Sequence, residues 1–508
     1  MSSQSPSFRV LLASSEAVPF AKTGGLADVA GSLPRALEQR GLSPAVILPL
    51  YRSARTGRTA VAPTDHYLQV PLGGRIIPAR LWRSTLPDSR VPVWLIEQND
   101  FFDRDDPGRQ RGLYQFVDES GQKRDYPDNG QRFAFFCKAV LETCRSLDYW
   151  PDVLHANDWQ TGLIPVFLRE ATPKQSRFRS IRTVFTLHNL AYQGVFPKTV
   201  FDQVGLPDWL FSMPYLEYYG QLNFLKAGIV FADWLNTVSP MYAKEIHQTN
   251  LGCGLQGVLT ERRDRLSGIM NGIDYRVWNP ATDERIAARY SPETISDGKS
   301  KCKAALQAEL GLAPDPRAPL LAVIARLVEQ KGIELILKAA ETLLAQDVHL
   351  ITLGEGDAKY QQQLRVLESR HPRSIKTIIG FDEDLAHRIE AGADIFLMPS
   401  VYEPSGLNQL YSLKYGTVPV VRVTGGLADT IVDTNEETLA NGTATGFCFQ
   451  AIAGWALRET VERALTVYRN RPKDWRQIQE TGMRQDWSWN RSAAEYEKLY
   501  RRLVSGEW

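Results

Sequence analysis

The stretch that decides the fold is FRVLLASSEAVPFAKTGGLADVAGSLPRALEQRGLSPAVILPL, residues 8–50. It begins with an apolar run, Phe8–Ala13, which a Gly-rich loop follows. Apolar residues then recur at helical spacing, namely Leu26, Val29, Ala30, Leu33 and Leu37. Gly41 ends this helix, and Ala45–Leu48 is the next apolar run. A strand, a helix and a second strand in this order predict a βαβ unit.

The same alternation continues along the chain. Further strand-like runs are Val91–Ile96, Val153–His155, Thr183–Leu187, Pro319–Ala325, Val348–Leu353, Ile375–Ile379 and Asp394–Met398. One helix face is marked by Ile333, Ile336, Leu337, Ala340 and Leu344. The polar stretch 99–130 is typical of surface loops. We therefore expect an α/β protein of two Rossmann-like domains with doubly wound parallel sheets, which meet near 265–275 and face each other across a deep cleft.

Length and composition restrict the class of protein. A chain of 508 residues is too long for one ordinary core and suits two domains. Lys and Arg total 59 against 58 for Asp and Glu, so we expect no nucleic-acid partner. No apolar run approaches the ~18 residues of a membrane helix, and the short segment before Phe8 lacks the apolar region of a signal peptide. The five cysteines form no CxxC pair, so we expect a cytoplasmic protein without a membrane partner.

Two Gly-rich turns share one sequence. Thr23-Gly-Gly-Leu-Ala-Asp28 recurs as Thr424-Gly-Gly-Leu-Ala-Asp429, and each copy stands where a helix should begin. Glycines let the backbone approach a phosphate, and a helix N-terminus offers free N–H groups, to which Lys22 adds a charge. Both turns are thus candidates to bind one ligand. The alternative is a tight strand–helix turn with a solvated Lys22.

Cations follow one strand of the second half. Arg326 and Lys331 lie in the loop after the run 319–325. Two cations at the carboxyl end of a parallel strand suit a diphosphate leaving group, whose developing charge must be neutralised. The alternative is an exposed surface pair, since Lys and Arg are mostly solvated.

A carboxylate motif follows another strand of the second half. Glu403-Pro-Ser-Gly-Leu407 comes after the run 394–398 and before an apolar helix. Glu403 can bind sugar hydroxyls or stabilise positive charge on a sugar. The backbone N–H groups of Gly406 and Leu407 can hold phosphate or sugar oxygens, with Ser405 near the N-cap. The alternative is compensation of the helix dipole.

Polar side chains end two strands of the first half. His155-Ala-Asn-Asp158-Trp159 ends one strand, and His188-Asn189 ends the next. Asp158 offers a hydrogen-bond acceptor, Trp159 a flat face for a sugar, and His188 a group for a hydroxyl or for charge at the anomeric carbon. A single His at a strand end is more often structural than catalytic.

Asp103-Arg-Asp105 has the D-x-D pattern of metal-dependent sugar transferases. It lies in an acidic loop bounded by Pro and Gly, and no apolar strand leads directly into it. We interpret it as a solvated loop. No other cluster has the spacing of metal ligands, so we expect no metal and no cofactor, the cations above taking the place of a metal.

At this point the chain resembles a known family, the bacterial glycogen synthases and plant starch synthases of glycosyltransferase family 5. The matching motifs occur in the family's order over nearly the whole chain. They are Lys22-Thr-Gly-Gly-Leu26, His155-Ala-Asn-Asp-Trp159, His188-Asn-Leu-Ala-Tyr-Gln-Gly194, Asn271-Gly-Ile-Asp274, Arg326-Leu with Lys331-Gly332, Glu403-Pro-Ser-Gly-Leu407 and Thr424-Gly-Gly-Leu427. The resemblance implies a GT-B fold and a retaining transferase that uses ADP-glucose.

The resemblance also implies residue roles. Catalytic roles fall to Glu403, His188, Arg326 and Lys331. Substrate-binding roles fall to Lys22, Gly25, Tyr114, Asp158, Trp159, Asn271, Phe381, Ser405, Gly406 and Leu407. Within these sets, Arg326 and Lys331 would clamp the phosphates, Glu403 would bind the glucose hydroxyls, and Phe381 would lie against the adenine.

The resemblance further implies a division of the chain. Residues 1–268 would form the acceptor-side domain, 269–485 the nucleotide-sugar domain, and 486–508 a helix returning to the first domain. Two positions depart from many bacterial members, which have Cys where this chain has Ser405 and His where it has Asn157. Neither change removes a charged group from the expected site.

The expected reaction transfers glucose from ADP-glucose to the non-reducing end of an α-1,4-glucan, such as glycogen or a maltooligosaccharide, with retention. One alternative is a related enzyme that uses UDP-glucose or a small acceptor. Another is a catalytically silent glucan-binding or regulatory protein, against which the intact charged residues argue. A dinucleotide oxidoreductase is a more distant alternative, because no GxGxxG follows any strand.

Overall fold

The computed structural model describes residues 8–171 and 177–507, which group into two compact units. Unit 1 contains the chain up to Val238, residues 243–272 and the segment from Trp489 onwards. Unit 2 contains Ser239–Tyr242 and Ile273–Ser488. None of the helices in the described ranges has the length and apolar character needed to cross a bilayer.

Strands and helices alternate in both units. In chain order the strands are β1 (Arg9–Ala13), β2 (Ser43–Pro49), β3 (Ala62–Leu72), β4 (Arg75–Thr85), β5 (Pro92–Glu97), β6 (Gln115–Val117), β7 (Lys123–Asp125), β8 (Val153–Asn157), β9 (Arg182–Leu187), β10 (Val195–Pro197), β11 (Glu217–Tyr218), β12 (Gln221–Asn223), β13 (Trp234–Thr237), β14 (Leu266–Gly268), β15 (Leu320–Ile324), β16 (His349–Gly354), β17 (Ile375–Ile379), β18 (Ile395–Met398), β19 (Val418–Arg422) and β20 (Phe447–Phe449). Every strand expected from an apolar run is present.

The helices are α1 (Gly25–Gln39), α2 (Arg52–Thr56), α3 (Asn99–Phe102), α4 (Asn129–Ser146), α5 (Ile164–Val166), α6 (Lys198–Val204), α7 (Phe224–Phe231), α8 (Pro240–Glu245), α9 (Gln256–Glu261), α10 (Ile295–Leu310), α11 (Ile333–Leu344), α12 (Ala358–Arg370), α13 (Glu383–Gly392), α14 (Asn408–Tyr415), α15 (Gly425–Thr430), α16 (Glu436–Ala440), α17 (Gly454–Asn470), α18 (Pro472–Arg484) and α19 (Trp489–Ser505). Both copies of the repeated Gly-rich sequence begin a helix, α1 and α15, as expected.

The main sheet of unit 1 has the strand order β14-β13-β9-β8-β1-β2-β5-β4-β3. Its strands from β14 to β5 pair in parallel. The chain builds outward from β1 to β5 and then from β8 to β14, so the topology switches between β1 and β8. Open α/β sheets bind ligands beyond the carboxyl ends of their strands at such a switch point. The loops after β1 and β8 are therefore where a ligand of unit 1 is expected.

The expectation of purely parallel sheets is wrong for one edge of unit 1. β3 and β4 form an antiparallel hairpin, and β4 also pairs antiparallel with β5. The hairpin turns at Gly73 and Gly74, which both have a positive φ that Gly adopts without steric cost. The polar stretch 99–130 also contains α3 and the small antiparallel ladder β6–β7.

Helices α1 and α19 pack in one core with β1. Their buried apolar side chains in this core include Val10, Leu12, Leu33, Leu37, Tyr496, Tyr500 and Leu503. β1 is buried along most of its length, which is why it consists of one apolar run. His155 of β8 joins this core, because its Nδ1 lies 2.7 Å from the hydroxyl of Tyr500 and its Nε2 lies 2.6 Å from Thr186 Oγ1. His155 therefore stabilises the packing of α19.

The sheet of unit 2 has the order β17-β16-β15-β18-β19-β20, and its neighbouring strands pair in parallel. The chain builds from β15 to β17 and then from β18 to β20, so the topology switches between β15 and β18. Helix α11 buries Ile333, Ile336 and Ala340 in the same core as these strands, as its periodicity predicts. The loops after β15 and β18 therefore lie at the switch point.

Replacing Tyr500 with Phe keeps the ring and removes the hydroxyl that meets His155. Both side chains are buried, so we expect the unpaired ring nitrogen to lower the free energy of unfolding by about 1–3 kcal/mol in the denaturant transition of unit 1. The control Tyr67→Phe, at an exposed position, should change it by less than ~0.5 kcal/mol. Equal stability of Y500F and the unsubstituted protein would contradict the role of this contact.

Candidate functional site

Two loops meet at the switch point of unit 2. In the loop after β15, the Gln330 carbonyl accepts from the backbone N–H of Val401 at 2.8 Å, and Gln330 Nε2 donates to the carbonyl of Tyr402 at 3.2 Å. Gly332 has a φ of 69°, and a Cβ there would lie 2.0 Å from the carbonyl oxygen of Pro399. Only Gly permits this approach, which holds the loop after β15 against the loop after β18.

Lys331 and Glu403 form an ion pair across these two loops. Lys331 Nζ lies 2.5 Å from Glu403 Oε2, and Ser400 Oγ donates to the same oxygen at 3.0 Å. The side chain of Glu403 is 6% exposed and that of Lys331 is 19% exposed. Water therefore screens their attraction much less than it would at the surface. The structure thus brings together two residues that the sequence analysis placed in the catalytic set.

Arg326 and Phe381 follow β15 and β17, two strands of the unit 2 sheet that are separated by β16. Arg326 follows β15, and its guanidinium donates to Gln330 Oε1 at 3.2 Å. Phe381 follows β17 after Gly380 and is 74% exposed. An exposed aromatic ring at the carboxyl end of a strand can stack on a planar base. Both residues thus lie at the edge where a ligand of unit 2 is expected.

The segment Ser405-Gly-Leu407 leads into α14. Leu407 is the N-cap of this helix, and Ser405 lies two residues before it. Ser405 Oγ is buried and has no hydrogen-bond partner among the residues that the structure describes. Buried hydroxyl groups are normally hydrogen-bonded, so this one is available to a ligand. Gly406 has a φ of 71°, and a Cβ there would meet Gln409 Oε1 at 2.4 Å.

The second copy of the repeated Gly-rich sequence packs against this segment. A Cβ on Gly425 would lie 1.9 Å from the carbonyl oxygen of Glu403, and one on Gly426 would lie 1.9 Å from that of Ser405. In the first copy, no atom lies within 4 Å of a Cβ on Gly24, and residues 22–25 are exposed. The expectation that both turns are open to a ligand is therefore wrong for the second copy, which supports the backbone at Glu403.

The switch point of unit 1 is organised by Glu16, which the sequence analysis missed. Its buried carboxylate accepts hydrogen bonds from the backbone N–H of Thr23, from Thr23 Oγ1 at 2.6 Å, from the N–H of Gly24 at 3.3 Å and from the hydroxyl of Tyr114 at 2.7 Å. The first Gly-rich turn thus already has a carboxylate on two of its N–H groups. The sequence feature that could have indicated Glu16 is its position, because it is an acidic residue three positions beyond the first apolar strand.

Three of the expected binding residues surround this turn. Lys22 Nζ forms an ion pair with Asp28 Oδ1 at 2.8 Å and keeps 45% of its side chain exposed. Gly25 is the first residue of α1. Burial raises the pKa of Tyr114 well above its usual value, so its hydroxyl remains protonated beside Glu16. Lys22 is accessible to an anion, although it is already paired.

Asp158 and His188 meet at the ends of the neighbouring strands β8 and β9. The backbone N–H of His188 donates to Asp158 Oδ1 at 2.7 Å, and His188 Nε2 lies 3.0 Å from Asn157 Oδ1. Burial raises the pKa of Asp158 to about 7, although the backbone N–H groups of His188 and Asn189 act against it. Burial lowers the pKa of His188 to about 3. A carboxyl group that titrates near neutrality therefore lies beside a neutral imidazole.

Trp159 and Asn271 differ in what they offer a ligand. The ring of Trp159 lies in an aromatic cluster, with centroids 5.0 Å from Phe133 and 5.6 Å from Phe196, and a Cβ on Gly194 would be 2.3 Å from it. Much of this ring therefore serves packing. Asn271 is buried, and its Oδ1 has no hydrogen-bond partner within residues 8–171 and 177–507.

The D-x-D motif has a structural role. Asp105 accepts hydrogen bonds from the backbone N–H groups of Arg52 at 2.7 Å and Ser53 at 2.8 Å, at the start of α2, and Asp103 Oδ1 accepts from Arg52 Nε at 2.8 Å. Asp105 is buried, so the interpretation as a solvated loop is wrong for this residue. Burial follows from its contacts with the first turn of the helix.

Comparison with known proteins identifies relatives of the chain. A family profile described as starch synthase catalytic domain matches residues 9–261, and one described as glycosyl transferases group 1 matches residues 311–480. The chain is 47% identical over 502 residues to glycogen synthase 2 of Nitrosococcus oceani, with 98% of each chain covered. It is 44% identical over 495 residues to a glycogen synthase of Syntrophotalea carbinolica, with 97% of this chain and 99% of the relative covered.

Among solved structures, the chain matches the catalytic domain of starch synthase IV from Arabidopsis thaliana bound to ADP and acarbose. The TM-score is 0.87 at 32% identity, and the match covers 99% of this chain and 100% of that one. This agreement extends to the GT-B fold, with parallel sheets in two units. The chain is therefore a glycosyltransferase that belongs to the family of glycogen and starch synthases.

Proposed function

We propose that this glycosyltransferase moves glucose from ADP-glucose to the 4-hydroxyl at the non-reducing end of an α-1,4-glucan, with retention at the anomeric carbon. The relatives named glycogen synthase support the polymer product. The ADP and acarbose bound to the Arabidopsis starch synthase IV domain support the nucleotide and the glucan. The balanced charge and scattered cysteines support a cytoplasmic enzyme without a nucleic-acid or membrane partner.

The observation that carries the proposal is the ion pair between Lys331 and Glu403 at the switch point of unit 2. Departure of ADP leaves negative charge on a diphosphate, and a cation fixed near it stabilises the transition state. Glu403, held beside Lys331, has the chemistry to bind the hydroxyls of the departing glucose. Arg326 supplies a second cation on the same loop, and Phe381 an exposed ring for the adenine.

The reaction needs no protein nucleophile in this proposal. The bond between the anomeric carbon and the phosphate oxygen breaks, and the bond to the acceptor 4-oxygen forms on the same face. The proton of the acceptor hydroxyl passes to the leaving phosphate. Positioning and charge stabilisation then supply most of the rate enhancement.

Unit 1 contributes the remaining roles in this proposal. His188 and Asp158 would bind sugar hydroxyls, because they place a neutral imidazole and a carboxyl group side by side. Asn271 offers a buried polar atom that has no partner among the described residues, as Ser405 does in unit 2. The first Gly-rich turn, with Lys22, would bind near the diphosphate side of the donor.

The experiment that tests the function measures glucose incorporation into glycogen or a maltooligosaccharide. ADP-glucose is compared with UDP-glucose, each with and without EDTA. We expect elongation from ADP-glucose that EDTA does not reduce, since we propose that fixed cations take the place of a metal. Phe381→Ala should raise the KM for ADP-glucose about tenfold, as expected for loss of stacking between a base and an aromatic ring, which is worth ~1–3 kcal/mol. Equal or better use of UDP-glucose would contradict the donor assignment, and loss of activity in EDTA would contradict metal independence.

Lys331→Ala should lower kcat for glucosyl transfer by about 10²–10³-fold, because it removes a cation from the developing diphosphate charge. Glu403→Gln should also lower kcat while keeping the size of the side chain. Arg326→Ala should act in the same direction. The measurement is initial-rate kinetics with ADP-glucose and a maltooligosaccharide, with circular dichroism to verify folding.

The matched control is Lys338→Ala on the exposed face of α11, where Lys338 forms a surface ion pair with Glu334 at 2.6 Å. This variant should retain near-normal turnover, since surface ion pairs contribute little. Near-normal turnover in folded K331A, E403Q and R326A would exclude the proposed site.

The raised pKa of Asp158, about 7, predicts a pH dependence. Below that pH the carboxyl group is protonated, and above it the carboxylate can accept a sugar hydroxyl. We expect kcat/KM for the glucan to rise with a midpoint near pH 7, and Asp158→Asn to remove this rise at lower overall activity. His188 stays neutral over this range, because burial lowers its pKa to about 3. An unchanged rise in D158N would show that another group titrates.

A further inference from the structure

Asn157 holds its amide group in one orientation. It is the last residue of β8 and is 1% exposed. Its Nδ2 donates to the carbonyl of Ala13 on the neighbouring strand at 3.1 Å and to the carbonyl of His155 at 3.2 Å. A carbonyl oxygen only accepts, so the nitrogen of the amide must face these two groups. The amide oxygen therefore points away from β1, with its direction fixed by the sheet.

That amide oxygen meets the imidazole of His188. Asn157 Oδ1 lies 3.0 Å from His188 Nε2. Because Oδ1 only accepts, Nε2 must carry the proton, and in a neutral imidazole Nδ1 then holds a lone pair. Within the described part of the chain, Nδ1 of His188 has no hydrogen-bond partner. His188 as a whole is partly exposed, although the surroundings of its imidazole are buried enough to lower the pKa of the ring.

The other polar groups around His188 do not decide where its proton sits. Asp158 Oδ1 accepts the backbone N–H of His188 and not the ring. His155 has both ring nitrogens bonded, to Tyr500 and Thr186. Glu16 is occupied by Thr23, Gly24 and Tyr114. The hydrogen bond to Asn157 is thus the contact that selects the tautomer.

We infer that Asn157 is a positioning residue that fixes His188 as the Nε2–H tautomer, so that Nδ1 acts as a hydrogen-bond acceptor for a substrate hydroxyl. The part of this inference that concerns substrate rests on the proposed function. A fixed acceptor binds a hydroxyl that donates, and it disfavours a group that can only accept. Asn157 thereby determines which polar group of a sugar the imidazole can bind.

The test uses the full chain with 15N-labelled histidine, and His188→Gln assigns the resonances of His188. The nitrogen shifts of an imidazole distinguish its tautomers. We expect Nε2–H in the unsubstituted protein. Asn157→Leu, which removes the acceptor at similar volume, should shift His188 toward a mixture of tautomers. Asn157→Asp, which retains an acceptor oxygen, should keep Nε2–H.

We expect the rate of glucosyl transfer to depend on the tautomer of His188. Asn157→Leu should lower kcat/KM for glucosyl transfer about 10- to 100-fold, the cost of a misplaced polar group in an active site. Asn236→Leu is the matched control. Asn236 is a buried Asn of β13 whose Nδ2 donates to the hydroxyl of Tyr496 at 3.0 Å and to Thr186 Oγ1 at 3.3 Å. It should destabilise the protein comparably while leaving the His188 tautomer unchanged.

Two results would overturn the inference. One is an Nδ1–H tautomer in the unsubstituted protein, and the other is an unchanged His188 spectrum in N157L. If the unsubstituted protein transfers no glucose from either donor, the proposed function fails, and the spectra still decide the placement of the proton. A comparable loss of transfer in N236L would show that the effect of N157L on activity is only structural.

Discussion

Two opposite charges that are largely shielded from water connect the loops of unit 2. Removing Lys331 and Glu403 from solvent is costly, and their attraction offsets this cost only at short range and with further hydrogen bonds. Ser400 supplies one such bond, and Gly332 allows the two loops to approach. Loss of one partner leaves an unpaired buried charge, which lowers the free energy of unfolding by ~3–5 kcal/mol. The ion pair and the close packing of the backbone are therefore mutually dependent.

Unit 1 stabilises its buried carboxylate differently. The carboxylate of Glu16 accepts hydrogen bonds from Thr23, Gly24 and Tyr114. The carboxylate of Glu403 is instead paired with a cation, Lys331. The same N–H groups are those that a phosphate would use at a helix N-terminus. An anion at this turn must displace Glu16 or bind beside it, nearer to Gly25 and Lys22. The two copies of one Gly-rich sequence thus have different roles. The copy in unit 1 forms an exposed turn, and the copy in unit 2 packs against the backbone at Glu403 and Ser405.

Much of the fold is predictable because buried parallel strands consist of continuous apolar runs. The bounds of β17 agree with the expectation residue for residue, and the five residues expected to mark one helix face all lie within α11. The hairpin β3–β4 was missed because its exposed positions mix polar side chains with Tyr67 and Ile76, so its alternation is irregular, although Gly73-Gly74 is a recognised hairpin signal. The sequence also placed Lys331 and Glu403 at strand ends, but their contact depends on β15 and β18 being neighbours, and periodicity does not specify strand order. Glu16 and Asp105 depend on partners that no pattern reveals, and the role of Phe381 stays a prediction.

The packing of α19 against α1 has a consequence for biosynthesis. The core around Leu33 and Leu37 is completed by residues that are translated after all of unit 2. At ~5–20 residues per second, the ribosome needs about 10–40 s to synthesise residues 273–488, and during this time the groove for α19 stays uncovered. The core of unit 2 lies within the continuous segment Ile273–Ser488 and can form first. The first unit to leave the ribosome is thus the last to be finished, and in this interval its uncovered apolar surface is a natural substrate for a chaperone.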